Sequence, residues 1–264
     1  MADLYRLDGR TAIVTGAGGG LGLGIARALG ERGAGVLVCD MNERLLDGAR
    51  RSLSDAGVRA AAYLCDVTRE QDVACALQTA ERDLGLADIL VNNAGITRMQ
   101  DIMEVRESDW DAILAVNVKG LFSFSQQFAR RLADAGRAGH IVNIASNGAK
   151  TTYDDQVHYC ASKAAVVNMT QCMAATLARY RINVNAVCPG AVETEMLKGC
   201  MAATEQQTGG RVTVGDCMKT WGPPQLGRLI QPEEVGRIVA FLCTQAGAMI
   251  RGQALNVDAG NTKF

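Results

Sequence analysis

The sequence contains very little that can bind a metal ion. It has two histidines, His140 and His158, and its nine cysteines include no Cys-x-x-Cys pair. Zinc sites need clusters of these residue types at close spacings. Most of the cysteines, such as Cys39 and Cys188, lie inside apolar runs, which is typical of reduced and buried thiols. We therefore expect no metal site, and cysteines that have a structural role.

The sequence also lacks an excess of charge and any long apolar run. Its net charge is −1 and its pI is about 6.2, so it offers no basic face to a phosphate backbone. No apolar run approaches the roughly 20 residues that a membrane-spanning helix needs, and residues 1–6 do not resemble the start of a secretory signal. We expect a soluble, cytoplasmic protein whose partners are neither nucleic acids nor membranes.

What the sequence does have is a regular alternation of β-branched runs with segments of helical period. This alternation is typical of βαβ units in a parallel sheet. The predicted strands are Ala12–Thr15, Gly35–Cys39, Ala61–Leu64, Ile89–Asn92, His140–Ala145, Asn183–Cys188 and Ala254–Val257. The predicted helices are Leu21–Arg32, Asn42–Ala56, Arg69–Leu84, Ser108–Ala135, His158–Tyr180 and Pro232–Cys243. We predict one α/β domain, residues 1–264, with a Rossmann-like, doubly wound, seven-stranded parallel sheet and helices on both faces.

A glycine-rich turn, Thr15 to Gly22, follows the first predicted strand and has the sequence TGAGGGLG. Glycines let a backbone approach a pyrophosphate closely, and the N-terminus of the next helix offers free N–H groups and the positive end of its dipole. The spacing, Thr-Gly-x-x-x-Gly-x-Gly, differs from the Gly-x-Gly-x-x-Gly of the dinucleotide fingerprint. By itself the turn is also compatible with a glycine-rich connection that binds nothing.

The motifs of the whole chain, in their order, resemble those of the short-chain dehydrogenase/reductase family. They comprise Thr15, Gly16, Gly20, Leu21, Gly22, Asp66, Val67, Asn92, Asn93, Ala94, Gly95, Asn117, Ser146, Tyr159, Lys163, Pro189, Gly190, Val192 and Thr194. The resemblance implies a Rossmann fold and a nicotinamide cofactor, with the glycine turn at the pyrophosphate and Asp66 at the adenine. It further implies that Asn93 to Gly95 line the adenine-ribose side, and that Val192 and Thr194, after Pro189 and Gly190, hold the carboxamide.

Asp40 points to the identity of that cofactor. It ends the second predicted strand, about twenty residues beyond the glycine turn, where a carboxylate can accept hydrogen bonds from the adenosine ribose and repel a 2′-phosphate. Family members that prefer the phosphorylated cofactor often carry arginine at the position of Gly19. Arg44 lies nearby, and Asp40 can alternatively cap the helix that begins near Asn42. We expect NAD rather than NADP.

Tyr159 and Lys163 are the predicted centre of the chemistry. They are spaced i and i+4 on a predicted helix, so a phenol and an ammonium share one face. A nearby positive charge lowers the pKa of tyrosine from about 10 and makes it a usable general base. Ser146 follows a strand at the carboxyl edge of the sheet and can hydrogen-bond the substrate oxygen.

Asn117 lies in a mostly apolar helical segment, where an unpaired amide is costly. The family uses this asparagine to kink the helix and to hold a water that relays protons to the lysine. The alternative is an amide of the core whose hydrogen bonds are satisfied and which has no part in the reaction. The predicted reaction moves a proton from a secondary alcohol to Tyr159 and a hydride to the nicotinamide. Lys163 and Tyr159 also contact the nicotinamide ribose in the family.

The substrate is predicted from two segments around Tyr159. Residues 147–156 are rich in hydrogen-bonding groups, and Glu195–Arg228 lacks clear periodicity, which favours a substrate-binding loop or lid with Trp221 closing over the site. We expect a polyol or sugar-like alcohol, by resemblance to sugar-alcohol dehydrogenases. The alternatives are a 3-oxoacyl thioester reductase and a non-catalytic nucleotide-binding regulator. Homotetramers, common in the family, are expected.

Overall fold

The computed structural model describes residues 3–222 and 225–262. Within these residues seven strands form one sheet, and every neighbouring pair is parallel. The strands are β1 (Thr11–Thr15), β2 (Gly35–Asp40), β3 (Ala60–Leu64), β4 (Ile89–Asn92), β5 (Gly139–Ile144), β6 (Ile182–Pro189) and β7 (Ala254–Val257). Their order is β3-β2-β1-β4-β5-β6-β7. The predicted doubly wound sheet is confirmed, and each predicted strand overlaps its counterpart.

Helices cover both faces of this sheet. In the described ranges they are α1 (Gly20–Glu31), α2 (Glu43–Asp55), α3 (Glu70–Leu84), α4 (Glu107–Leu114), α5 (Leu121–Asp134), α6 (Val157–Leu177), α7 (Glu195–Gln207), α8 (Val214–Thr220) and α9 (Pro232–Leu242). Successive strand residues point to opposite faces. Ala12 and Val14 therefore join the core beneath α1, α2 and α9, whereas Ile13 joins the core beneath α3, α5 and α6. No helix in the described part of the chain is long and apolar enough to cross a membrane.

The predicted helix Ser108–Ala135 is divided in two at the position of Asn117, where the family resemblance implies a kink. A π-helical turn, Ala115–Gly120, separates α4 from α5. Such a turn adds one residue to the hydrogen-bond ladder and is frequent at functional sites. It carries Asn117, which is buried, and ends at Gly120, where a Cβ would lie 2.8 Å from a methyl group of Val67. The apolar spacing continues through the turn, so the pattern does not reveal it.

Much of the segment predicted to be irregular is helical, because α7 (Glu195–Gln207) and α8 (Val214–Thr220) lie within it, and this corrects that structural prediction. Thr194 caps α7, since its Oγ1 accepts a hydrogen bond from Leu197 N at 3.2 Å, and Thr213 begins α8 with a capping box. The two helices share a small apolar cluster around Met201 and Cys217. Each helix buries only a few side chains, so neither shows a clear hydrophobic period. Pro223 and Pro224 lie outside the described residues.

The strand order brings the predicted functional residues to one edge of the sheet. Because all strands are parallel, their carboxyl ends meet at that edge. Thr15, Asp40 and Asn92 end β1, β2 and β4, and Ser146 lies two residues beyond β5. The connections from β1 and β4 run in opposite directions across the sheet, and open α/β proteins bind ligands in the crevice at such a switch point.

Candidate active site

The glycine turn between β1 and α1 is shaped for close approach to an anion. Gly16 and Gly20 have φ values of 61° and 51°, in the left-handed region that favours glycine. A Cβ at Gly22 would lie 2.2 Å from the carbonyl oxygen of Gly16, so a side chain there would displace the turn. In contrast, a Cβ at Gly19 would meet nothing within 4 Å. Helix α1 begins at Gly20, and its first N–H groups and dipole can bind a phosphate.

Asn93 fixes this turn to the end of β4. Its Nδ2 donates hydrogen bonds to the carbonyl oxygens of Thr15 and Gly16, both at 2.9 Å. The backbone N–H groups of Asn93 and Ala94 donate to Thr15 Oγ1 at 3.0 Å. Both amide hydrogens of Asn93 are used within the protein, so this side chain positions the turn. The next residue, Gly95, packs against the catalytic side, since a Cβ there would lie 3.4 Å from Lys163 Nζ.

Asp40 lies beside the glycine turn with its carboxylate held on both sides. Its Oδ2 accepts a hydrogen bond from Gly18 N at 2.9 Å, and its Oδ1 accepts one from Asn42 N at 3.0 Å. The cap of α2 is Asn42, whose Oδ1 accepts from Leu45 N at 3.3 Å. The capping alternative for Asp40 was therefore wrong. A fixed and half-buried carboxylate at this place can accept hydrogen bonds from ribose hydroxyls.

Asp66 and Val67 follow β3 and close the far side of the same crevice. Asp66 Oδ1 accepts hydrogen bonds from Thr68 N at 2.9 Å and from Thr68 Oγ1 at 2.7 Å. Burial raises the pKa of Asp66, but these hydrogen bonds and the nearby Arg69 outweigh it, so the pKa lies below its ordinary value. Asp66 therefore stays ionised and fixed, whereas the side chain of Val67 is buried in the core.

The segment after β6 forms the opposite wall of the crevice. A Cβ at Gly190 would lie 2.9 Å from Asp258 Cβ, and Val192 is buried and bridged to Ile230. Thr194 lies close to the glycine turn, because its Cγ2 is 3.4 Å from the position that a Cβ on Gly20 would take. The structure thus brings Thr194 next to the predicted phosphate turn, whereas Gly190 and Val192 pack against Asp258 and Ile230.

Tyr159, Lys163 and Ser146 meet at the carboxyl edge of β5. Lys163 Nζ lies 5.6 Å from the centroid of the Tyr159 ring, one turn away on α6, and donates a hydrogen bond to the carbonyl oxygen of Ile144 at 2.9 Å. The hydroxyl of Ser146 accepts a hydrogen bond from Gly148 N at 3.1 Å and donates one to Asn147 Oδ1 at 3.4 Å, and it lies near enough to the Tyr159 phenol to lower the pKa of that group. The three side chains can therefore hold one substrate oxygen and exchange one proton with it.

Burial dominates the ionisation of this group. It raises the pKa of Tyr159, even though the nearby Ser146 lowers it, and it lowers the pKa of Lys163 to about 8. The predicted lowering of the pKa of Tyr159 involves Lys163 together with the positive charge of an oxidised nicotinamide; in the chain alone burial has the larger effect, and the pKa lies above its ordinary value. Desolvation penalises both charged forms, and the ammonium is directed to the Ile144 carbonyl rather than to the phenol oxygen.

Asn117 connects the loop after β4 to α6. Its Oδ1 accepts a hydrogen bond from Ile96 N at 2.8 Å, and its Nδ2 donates to Ile96 O and to Ser162 Oγ, both at 3.0 Å. Ser162 Oγ in turn donates to the carbonyl oxygen of Tyr159 at 2.7 Å. Both amide hydrogens have protein partners, so the side chain acts as a brace between the two elements. The π-helical turn around Asn117 is the kink that the resemblance implies.

Two groups of polar contacts near the site were not predicted, although Asn92 belongs to the quoted motifs and residues 147–156 were expected to line the substrate. Beneath α6, Asn92 Nδ2 donates to Asn143 Oδ1 at 2.9 Å, and Asn143 Nδ2 donates to Thr170 Oγ1 at 2.9 Å. Beside Ser146, Asn147 Oδ1 accepts from the Tyr153 hydroxyl at 2.7 Å. Amides inside buried strands were the available signal for the first group, since such groups need partners. The second group lies in a segment that was expected to be polar, but the sequence does not show which of its side chains contact one another.

Comparisons with known proteins agree with this geometry. The family model for short chain dehydrogenases matches residues 10–205. The chain is 36% identical to a gluconate 5-dehydrogenase of Gluconobacter oxydans, over 98% of this chain and 97% of that protein. It is 35% identical to a D-threitol dehydrogenase of Mycolicibacterium smegmatis, over 98% of this chain and 95% of that protein. A short-chain type dehydrogenase/reductase from Mycobacterium marinum is 33% identical, covers 99% of both chains and has a TM-score of 0.90.

The resemblance found in the motifs is thereby confirmed along nearly the whole chain. The parallel sheet, the glycine turn and the meeting of Ser146, Tyr159 and Lys163 are what such an enzyme requires. The chain therefore belongs to the short-chain dehydrogenase/reductase family and is an oxidoreductase that acts on CH–OH groups.

Proposed function

We propose that this enzyme uses NAD to oxidise a secondary hydroxyl of a polyol or sugar-like substrate to the ketose or lactone. The observation that carries the proposal is the fixed carboxylate of Asp40 beside the glycine turn, together with a polar wall next to Tyr159. Relatives named for gluconate, D-threitol, glycerol and sorbitol support this substrate class.

The cofactor site fits a dinucleotide that has a free 2′-hydroxyl. Gly16, Gly20, Leu21 and Gly22 would hold the pyrophosphate, Asp66, Val67 and Asn93 to Gly95 the adenosine side, and Pro189, Gly190, Val192 and Thr194 the nicotinamide side. Asp40 would accept hydrogen bonds from the ribose and disfavour a 2′-phosphate. Relatives differ in this respect: one from Listeria innocua is named an NAD-dependent glycerol dehydrogenase, whereas a gluconate 5-dehydrogenase from Burkholderia cenocepacia was solved with NADP.

The chemistry divides between the cofactor and the chain. When bound, the oxidised nicotinamide accepts the hydride and brings a positive charge to the site. Ser146 would hold the substrate oxygen and Tyr159 would take its proton. Lys163 would contact the nicotinamide ribose, and together with the positive charge of the bound cofactor it would favour the phenolate. Since burial raises the pKa of Tyr159, the phenol is protonated at neutral pH and is ready to act as the acid in the direction of ketone reduction. Oxidation is favoured as the pH rises.

The substrate would lie between residues 147–156 and the lid, residues 195–228. Helix α7 approaches the loop after β4, because Gln207 Nε2 donates to the carbonyl oxygen of Met99 at 3.1 Å. Two residues of the segments expected to line the substrate have other contacts. Lys150 Nζ donates a hydrogen bond to Ala254 O at 2.7 Å, and Trp221 packs into the apolar cluster of the lid. Trp221 would therefore hold the lid in shape rather than cover the substrate. Tyr153, Asn147 and Asp155 remain as the polar wall.

The proposed enzyme is a cytoplasmic homotetramer, with a small-molecule alcohol or ketone as its partner. Helix α6 is apolar around much of its circumference, and Phe122 on α5 is exposed. A helix with more apolar surface than one sheet face covers favours association.

A 3-oxoacyl thioester reductase is the second candidate for the reaction. A relative of that name from Thermotoga maritima is 32% identical over 97% of this chain. The polar wall around Tyr153 and the carboxylate of Asp40 argue against an acyl chain and against NADPH. A non-catalytic nucleotide-binding regulator is disfavoured because Ser146, Tyr159 and Lys163 are all in place.

A substrate panel tests the proposal. NADH formation is followed with sorbitol, D-threitol, glycerol and gluconate, and NADH or NADPH consumption with an acetoacetyl thioester and a ketosteroid. The highest kcat/KM is expected for a polyhydroxylated compound with NAD. Faster turnover of the thioester or the steroid would refute the proposed substrate class.

A further inference from the structure

The helix that carries Tyr159 begins without a cap of its own. Helix α6 starts at Val157, and the side chain of Gln156, the residue before it, accepts no hydrogen bond from the first turn. Its Oε1 instead accepts one from Thr97 Oγ1 at 3.0 Å. The first N–H groups of a helix have no partner inside the helix, so an uncapped first turn is held mainly by contacts from outside. Tyr159 is the third residue of α6, and its position depends on such contacts.

Gln100, in the loop after β4, supplies two of these contacts. Its backbone N–H donates a hydrogen bond to the carbonyl oxygen of Asp155 at 2.7 Å, just before α6 begins. Its side-chain Oε1 lies 3.1 Å from His158 Nε2. His158 is completely buried and directly precedes Tyr159 in the first turn. The side chain of Gln100 therefore binds α6 at the residue next to the group that would transfer the proton.

The carboxylate of Asp109 fixes the other end of the Gln100 side chain. Asp109 lies in the first turn of α4 and is 2% exposed. Its Oδ2 accepts hydrogen bonds from Gln100 Nε2 and Arg106 Nε, both at 2.9 Å, and its Oδ1 pairs with Arg98. The hydrogen bonds from Arg106 and Gln100 hold the pKa of Asp109 at about 2. The carboxylate is therefore ionised and can only accept hydrogen bonds.

Asp109 thereby sets the direction of the hydrogen bond between Gln100 and His158. Because the carboxylate accepts, the amide nitrogen of Gln100 faces it, and the amide oxygen faces His158. His158 Nε2 must then carry a hydrogen and donate it. Burial lowers the pKa of His158, which keeps the imidazole neutral. Its other nitrogen, Nδ1, is buried and finds no hydrogen-bond partner among the residues that the structure describes, so the imidazole is held through Gln100.

We propose that Gln100 is a positioning residue for the proton transfer: by joining Asp109 to His158, it holds the first turn of α6 and sets the place of the Tyr159 phenol. The inference rests on the role proposed for Tyr159 and not on the class of substrate. Gln100 itself exchanges no proton with the substrate. Its effect on the rate is large because a reacting group that is misplaced by about 1 Å can lose about 100-fold in rate.

A double-mutant cycle tests whether Gln100 acts through Tyr159. We would measure kcat and KM with NAD and the best substrate of the panel for the wild type, Gln100→Met, Tyr159→Phe and the variant with both changes. Methionine has a similar length and no hydrogen-bonding amide. Gln127→Met is the matched control, because Gln127 Nε2 donates to the carbonyl oxygen of Glu70 at 3.4 Å and joins α5 to α3. Thermal unfolding checks the fold of each variant.

Gln100→Met should lower kcat at least about tenfold, with the Kd for NAD changed less than about twofold. In the Tyr159→Phe background the same change should lower the residual kcat less than about twofold, since no phenol hydroxyl is left to position. Gln127→Met should leave kcat within about twofold in either background. An unchanged kcat in Gln100→Met overturns the inference, and so does an equal loss in both backgrounds, which is the result of a purely structural role.

A conservative change at His158 gives a second test, which also applies if Gln100→Met does not fold. His158→Gln keeps an N–H donor near the place of Nε2 and should retain most of the wild-type kcat. His158→Leu lacks the donor and should lose as much as Gln100→Met does. Equal rates of the two His158 variants would contradict the inference.

Failure of the proposed function gives a different pattern. If Tyr159→Phe keeps the wild-type rate, the proposed role of Tyr159 is refuted, and the inference falls with it. If Tyr159→Phe loses its rate while Gln100→Met and His158→Leu keep theirs, only the positioning role of Gln100 is refuted.

Discussion

Replacing Lys163 with methionine is expected to stabilise the fold while it removes the amine from the site. Lys163 is 4% exposed, and burial lowers its pKa from 10.5 to about 8. At pH 7 the lysine is charged in the folded and the unfolded protein, so this lowering costs about 3 kcal/mol of stability. Methionine has a similar length and no charge. After the lost hydrogen bond to Ile144 O, worth about 1 kcal/mol, the net gain is about 2 kcal/mol.

The direction in which stability changes with pH follows from the lowered pKa of Lys163. Between about pH 8 and pH 10.5 the unfolded state binds more protons at this lysine than the folded state does, so wild-type stability from this group rises with pH. The advantage of Lys163→Met should therefore be largest at pH 7 and shrink by about 2 kcal/mol at pH 10.

Urea and thermal unfolding at pH 7 and pH 10, at one protomer concentration, measure this effect. The expected increase in Tm at pH 7 is about 4 to 8 °C. Lys119→Met serves as the control, because Lys119 is exposed in the π-helical turn, and it should change stability by less than about 0.5 kcal/mol. A Lys163→Met protein that is no more stable than the control, or an advantage that does not depend on pH, would refute the reasoning.

Three further predictions concern the cofactor and the assembly. Asp40→Ala should reduce the preference for NAD over NADP, measured as the ratio of kcat/KM values, and an unchanged ratio would place the discrimination elsewhere. Gly22→Ala should abolish NAD binding in a fluorescence titration, because the added Cβ would lie 2.2 Å from Gly16 O. Gly19→Ala should retain NAD binding, because a Cβ at Gly19 meets open space. Equal affinities of the two variants for NAD would contradict the geometry of the turn. Light scattering should give the mass of four 28.0 kDa chains, and a stable monomer would reject the tetramer.

The fold was predictable because its signals are local and repeated. Strands in the middle of the sheet, such as β1 and β6, are short apolar runs that are buried on both faces, and each of the strands β1 to β6 is followed by a helix. Such units can form only a parallel sheet with covered faces. The local pattern is weak in two places. The π-helical turn lies within an apolar segment, so only the resemblance indicates the kink at Asn117, and α7 and α8 were not predicted because they share only one small apolar cluster.

The site was predictable as a set of residues but not as a set of environments. The spacing of Tyr159 and Lys163 on one helix predicts their proximity. It does not predict that burial outweighs the effect of Ser146 and raises the pKa of Tyr159. That balance depends on how deeply α6 packs and on the Ile144 carbonyl that holds Lys163. Contacts between distant segments, such as Tyr153 with Asn147, need the fold before they can be seen.

The most direct test of the account is the rate of NADH formation by Tyr159→Phe with the best alcohol of the substrate panel. The change keeps the ring and removes the hydroxyl that exchanges the proton. Turnover should fall by at least about 100-fold, as is usual for the loss of a general acid–base group, while the Kd for NAD stays within about twofold. A variant that binds NAD and keeps more than about a tenth of the wild-type rate would contradict the assignment of Tyr159 as the proton-transferring group.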